Sequence, residues 1–87
     1  MSTISESELV FVVRSRGLKR MHIIQSEAGK FRVTVYLNNQ EGELELVTFR
    51  KKHREWASLD RLVKHIQEKY RAVPTITLTL FSGETSK

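Results

Sequence analysis

The apolar positions of the chain change period several times, and each change marks an element. Leu9 to Val13 is continuously apolar and valine-rich before the run ends on Arg14-Ser15-Arg16. Such a run predicts a strand covered on both faces. Gly17 marks a turn, and Leu18 to Gln25 reads as the hairpin partner, with Met21 and Ile23 on one face and Arg20, His22 and Ile24 on the other. After the turn at Ser26-Glu27-Ala28-Gly29, Phe31, Val33, Val35 and Leu37 alternate with Arg32, Thr34, Tyr36 and Asn38. This period of two predicts a third strand that buries one face. Asn38 to Gly42 supplies residues that tolerate positive φ, and Leu44 and Leu46 then alternate with Glu43 and Glu45 in a fourth strand.

The period then lengthens. Leu59, Leu62, Val63, Ile66 and Tyr70 draw one apolar stripe at helical spacing, with Asp60, Arg61, Lys64, Glu68 and Lys69 around it. Ser58 is the expected N-cap and Trp56 folds back on the first turn. Pro74 ends the helical pattern, so Tyr70 to Val73 is the exit. Thr75, Thr77 and Thr79 alternate with Ile76, Leu78 and Leu80 in a last, half-buried strand. Residues 1–8 read as a loose leader, 9–81 as a single domain and 82–87 as a frayed tail.

The expected fold is therefore α+β, a mainly antiparallel five-stranded sheet with one amphipathic helix, in the order ββββαβ. One helix covers one face of such a sheet and leaves the other to solvent or a partner. By alternation that face carries Arg14 and Arg16, His22, Arg32 and Thr34. An arginine in or beside a sheet needs an anion, because a desolvated unpaired charge is costly. Arg14, Arg16, His22 and Arg32 are thus the candidate ligand-binding residues for an anion.

Composition narrows the class. At 87 residues the chain is one domain, and with no cysteine it has neither a disulfide framework nor a thiolate metal site. No apolar run approaches the ~20 residues of a membrane-spanning helix, and the start lacks a signal-peptide pattern. A soluble cytoplasmic domain, with no membrane partner, is expected. A formal charge of +5 favours anionic partners without choosing among them. His22, His53 and His65 have no metal-site spacing, and no phosphate loop or nucleophile motif is present. Glu41, Glu43 and Glu45 read as an exposed strand face that resists aggregation. The expectation is a non-enzymatic binding module with no cofactor and no metal.

Two segments resemble a known family. Phe11-Val12-Val13-Arg14-Ser15 resembles the Phe-Leu-Val-Arg strand of Src homology 2 domains, and Trp56 to Ile66 is similar to that family's second helix. The interval between Arg14 and Ser58 is also similar to the family's, and Val73 to Leu80 falls at its final short strand. The resemblance covers roughly residues 8 to 80. It implies a phosphotyrosine-type peptide held by Arg14, whose planar fork matches phosphate oxygens, with Ser15 and Arg16 as second contacts. The family also has a helix before the arginine strand. The eight residues before Leu9 do not read as one, which leaves room for a partner over the pocket face.

Two other classes compete. Arg50, Lys51, Lys52 and Arg54, joined by Lys19, Arg20 and Tyr36 as a stacking platform, suit a nucleic-acid backbone or single strand. A protein–protein adaptor would use the uncovered sheet face, and a homodimer would use that face or an edge strand such as Thr75 to Leu80.

Overall fold

The computed structural model describes residues 2–50, 52–71 and 73–82. Its elements run β1 (Thr3–Ser5), α1 (Glu6–Arg14), β2 (Leu18–Gln25), β3 (Phe31–Leu37), β4 (Glu43–Val47), β5 (Glu55–Trp56), α2 (Leu59–Lys69) and β6 (Ile76–Thr79). The class is α+β as expected, with a second helix and a mixed sheet that the sequence pattern did not foretell.

The main correction concerns the first apolar run, which is helical. Ser5 caps α1: its hydroxyl accepts from the Glu8 amide at 3.2 Å while the Glu8 carboxylate accepts from the Ser5 amide at 2.9 Å, a reciprocal pair. Leu9 and Val13, four residues apart, are buried, whereas Phe11 between them is 72% exposed. That is the period of a helix with one buried stripe. Burying two such side chains contributes about 1.5–3 kcal/mol each. Residues 3–8, expected as a loose leader, form β1 and the first turn of α1.

The sheet runs β1-β4-β3-β2-β6, with β5 also on β3. The β2/β3 hairpin pairs Met21 with Val35 and Ile23 with Val33, and β3 pairs Val35 with Leu44 of β4. These antiparallel pairs follow the alternation read from the sequence. The two outer strands are parallel to their neighbours, β1 to β4 and β6 to β2. β2 is therefore flanked by β3 and β6, and the predicted hairpin with residues 9–16 does not form.

Both helices lie on one face. Leu9 and Val13 of α1, Leu62 and Ile66 of α2 and Tyr70 at the end of α2 share a single core with Met21, Ile23, Val33, Val35, Leu44 and Leu46. The two helices are also joined directly: the Glu6 carboxylate meets His65 Nε2 at 2.5 Å and accepts from the Tyr70 hydroxyl at 3.1 Å. Burial acts first on Glu6 and pushes its carboxyl up, but the His65 and Tyr70 hydrogen bonds and the charges of His65 and Arg54 outweigh it, leaving the group below its ordinary value. Burial, and then the Glu6 charge, raises the Tyr70 hydroxyl and keeps it protonated.

Candidate functional site

Two helix ends meet at a concavity lined by four basic side chains. In α1 the C-cap is Ser15 and the next residue, Arg16, has φ 60°; in α2 the C-cap is Tyr70 and the next residue, Arg71, has φ 63°. Among the described residues these are the only non-glycine positions with positive φ. A helix that ends in a left-handed residue ordinarily uses glycine there, because a Cβ in that conformation costs about 1–2 kcal/mol. Both helices of this chain use arginine instead.

The two ends line one cleft of about 470 Å³ with Val13, Arg14, Arg16, Glu68, Lys69, Tyr70 and Arg71. Val13 and Tyr70 are buried beneath it and the charged residues are exposed. The helix carbonyls do not need the arginine side chains. Gly17 and Arg16 amides bond to Val12 O and Val13 O, the Ser15 hydroxyl donates to Phe11 O and Val12 O, and the Tyr70 and Arg71 amides share Ile66 O. Among the described residues the side chains of Arg14, Arg16, Lys69 and Arg71 have no hydrogen bond or ion pair. Each helix end contributes about half a negative charge and Glu68 one more, so the four cations leave the cleft with roughly two positive charges in surplus.

The predicted ligand residues divide between this cleft and the opposite side of the sheet. Arg14 is not on a strand; it is the last residue of α1, and it meets Arg16 at the cleft. Ser15, the predicted second contact, uses its hydroxyl to close the helix end, donating to Phe11 O and Val12 O. His22 and Arg32 do lie on the face of the sheet away from the helices, yet neither joins Arg14. His22 bonds through Nδ1 to Thr77 and through Nε2 to Thr79 at 3.0 Å, which ties β2 to β6. Arg32 donates to Glu45 at 3.1 Å, and His53 reaches the same carboxylate oxygen. Glu45, expected on an exposed strand face, is 4% exposed, because it is the anion that neutralises this group.

The nucleic-acid residues are likewise dispersed. The Arg20 guanidinium sits 4.1 Å over the Tyr36 ring, and the Tyr36 hydroxyl donates to Glu43 at 3.1 Å. Tyr36 therefore has a cation on its face where a stacking base would lie. Arg54 is engaged in the same way, 4.7 Å over Trp56. Lys19 borders a separate concavity near Asn38 to Gly42. Arg50 and Lys52 are exposed on the excursion between β4 and β5, and Lys51 lies outside the described residues.

Lys69 and Arg71 were missed as site residues. A basic residue at a helix C-terminus ordinarily complements the helix dipole, so their charge carried no special signal, and the meeting of two helix ends is a property of tertiary packing alone. Among the described residues no group of histidine and acidic side chains is arranged to hold a metal ion, and no helix is long and apolar enough to cross a membrane. The class defined by fold and site is a small α+β protein with a cationic cleft at the junction of two helices. No protein-family model, curated protein or solved structure matches the chain.

Proposed function

We propose that this chain is a non-enzymatic binding module for an anionic ligand, and that the cleft at the helix ends holds the phosphate of a phosphotyrosine-type peptide. The observation that carries this reading is the pair of left-handed arginines, Arg16 and Arg71, lining one cleft. Strained backbone retained at one place, where glycine would relieve it, points to a role for the side chain. Arg14 and Lys69 add donors from the last turns of the helices. Guanidinium forks donate paired N–H bonds to phosphate oxygens, and the apolar floor of Val13 and Tyr70 offers a surface for the group that bears the phosphate. Concentration of unpaired cations in one cleft favours a discrete phosphate over an extended backbone, which draws on many separated charges.

The test is titration of a phosphotyrosine peptide, its unphosphorylated twin and a single-stranded oligonucleotide into wild type, Arg16→Ala and Arg71→Ala at two salt concentrations. The phosphopeptide alone binds, and each substitution weakens it about tenfold or more, the loss of a charged hydrogen bond. Oligonucleotide binding with a steep salt dependence, weakened only slightly by either substitution, would replace this reading with a diffuse nucleic-acid surface. Silence from all three ligands would leave the cleft without the role assigned to it.

A further inference from the structure

Among the described residues β6 ends the sheet: it pairs with β2 on one side and with no strand on the other. The direction of its free backbone groups follows from its bonds. The Met21 amide donates to Thr75 O at 2.9 Å and the Phe81 amide donates to Gln25 Oε1 at 3.1 Å. Odd-numbered residues of this segment thus turn their backbone toward β2. By alternation Ile76, Leu78 and Leu80 direct their N–H and C=O groups outward, away from the sheet.

Such an edge is ordinarily guarded by charge, proline or brevity. The opposite edge, β1, is three residues long and passes at once into α1. β6, at four residues, is nearly as short, but it continues into an extended segment guarded by neither charge nor a helix. From Ala72 to Ser82 the sequence holds no charged residue, in a chain that is 29% charged, and its one proline, Pro74, precedes the outward-facing groups. Ile76 and Leu78 stand in register with the buried Met21 and Ile23, on the helix side, yet both are 43% exposed, and Leu80 is 61% exposed. An apolar row and a row of unpaired backbone groups therefore share one edge.

We propose that this edge pairs antiparallel with the β6 edge of a second copy of the chain. The argument for a second copy is the absence of charge. About a two-fold axis each residue meets itself or its mirror position, so a charged strand would repel its own image, whereas a strand evolved to receive a different protein is under no such constraint. The outward groups fix the register. Leu78 faces Leu78 of the second copy on the axis, Ile76 faces Leu80, and Thr77 faces Thr79 on the other face. These uncharged pairs suit cross-strand packing, and about six backbone hydrogen bonds close across the join. The axis runs perpendicular to the sheet, so both helix layers lie on one side of a continuous sheet and both basic clefts stay open.

Sedimentation of the full chain from about 5 to 500 µM tests this, since so short a strand places the interface at the small, weak end of the range. Wild type passes from monomer to dimer over that interval. Leu78→Lys and Leu78→Glu are each monomeric throughout, because like charges meet on the axis, and an equimolar mixture of the two forms dimers again. The rescue also shows that both variants are folded. A wild type that stays monomeric at the highest concentration overturns the proposal and leaves the edge for an extended segment of another protein. Dimers that survive Leu78→Lys, or a mixture that stays monomeric, overturn it as well by placing the interface elsewhere.

Discussion

Replacing Arg16 by glycine and by alanine asks two different questions of one position. Arginine holds φ 60° there and carries a Cβ into the left-handed region, at about 1–2 kcal/mol. Glycine removes that strain but gains freedom in the unfolded chain, worth about 0.5–1 kcal/mol. The net expectation for Arg16→Gly is a gain of about 0.5–1 kcal/mol. Against the roughly 4–13 kcal/mol expected for a chain of 87 residues, that is measurable by urea unfolding, and it raises Tm by about 2–8 °C. Alanine keeps the Cβ and therefore the strain, so Arg16→Ala stays within about 0.5 kcal/mol of wild type. Both substitutions remove the guanidinium, and both lower phosphopeptide affinity to the same degree. The same contrast applies at Arg71, where φ is 63°. Stability thus separates the two variants while affinity does not. Equal stability of the glycine and alanine variants would show that the backbone at Arg16 holds no strain to release. Undiminished binding in either would show that the strain does not serve the ligand.

Other substitutions test the remaining groups. Arg32→Ala leaves the buried Glu45 carboxylate with His53 alone and destabilises by about 2–3 kcal/mol, while phosphopeptide binding stays at the wild-type level; the reverse pattern in paired urea and binding titrations would return Arg32 to the ligand site. Ser5→Ala removes the cap of α1 and costs about 1 kcal/mol, read as a lower urea midpoint; no loss would mean that α1 does not depend on its capping box. Glu6 has a lowered pKa in the folded state, so its contribution is present above the unfolded carboxylate value of about 4.3 and is lost as pH falls through the folded value. The stability gap between wild type and Glu6→Gln therefore closes on acidification below that point, and a gap that widens there would be the wrong sign. Tyr70 is raised from 10.0, so the folded state keeps its proton when the unfolded chain has lost it; stability falls as pH rises above about 10, and Tyr70→Phe flattens that alkaline limb.

The elements that were legible from sequence are those with one buried face and a clear period. β2, β3, β4 and α2 fall where alternation or the helical stripe put them, with Ser58 accepting from the Arg61 amide at the start of α2. The run Leu9 to Val13 was not legible in the same way, since five consecutive apolar residues have no period of their own. Its helical signal lay outside the run, in Ser5 and Glu8 at capping-box spacing, within a segment set aside as a leader. That single misreading placed Arg14 on a strand and brought His22 and Arg32 beside it. Once the run is a helix, the arginines separate by what each one touches. Arg32 has Glu45, Arg20 has Tyr36 and Arg54 has Trp56, and each is accounted for by its neighbour. Among the described residues Arg16 and Arg71 have no such neighbour, and they hold a costly backbone besides. Gly17 shows that glycine was available one residue away: it closes the helix by letting its amide reach Val12 O at 2.8 Å, while arginine keeps the left-handed position. Glycine thus stands beside the left-handed position at the end of α1, while arginine holds that position at the ends of both helices.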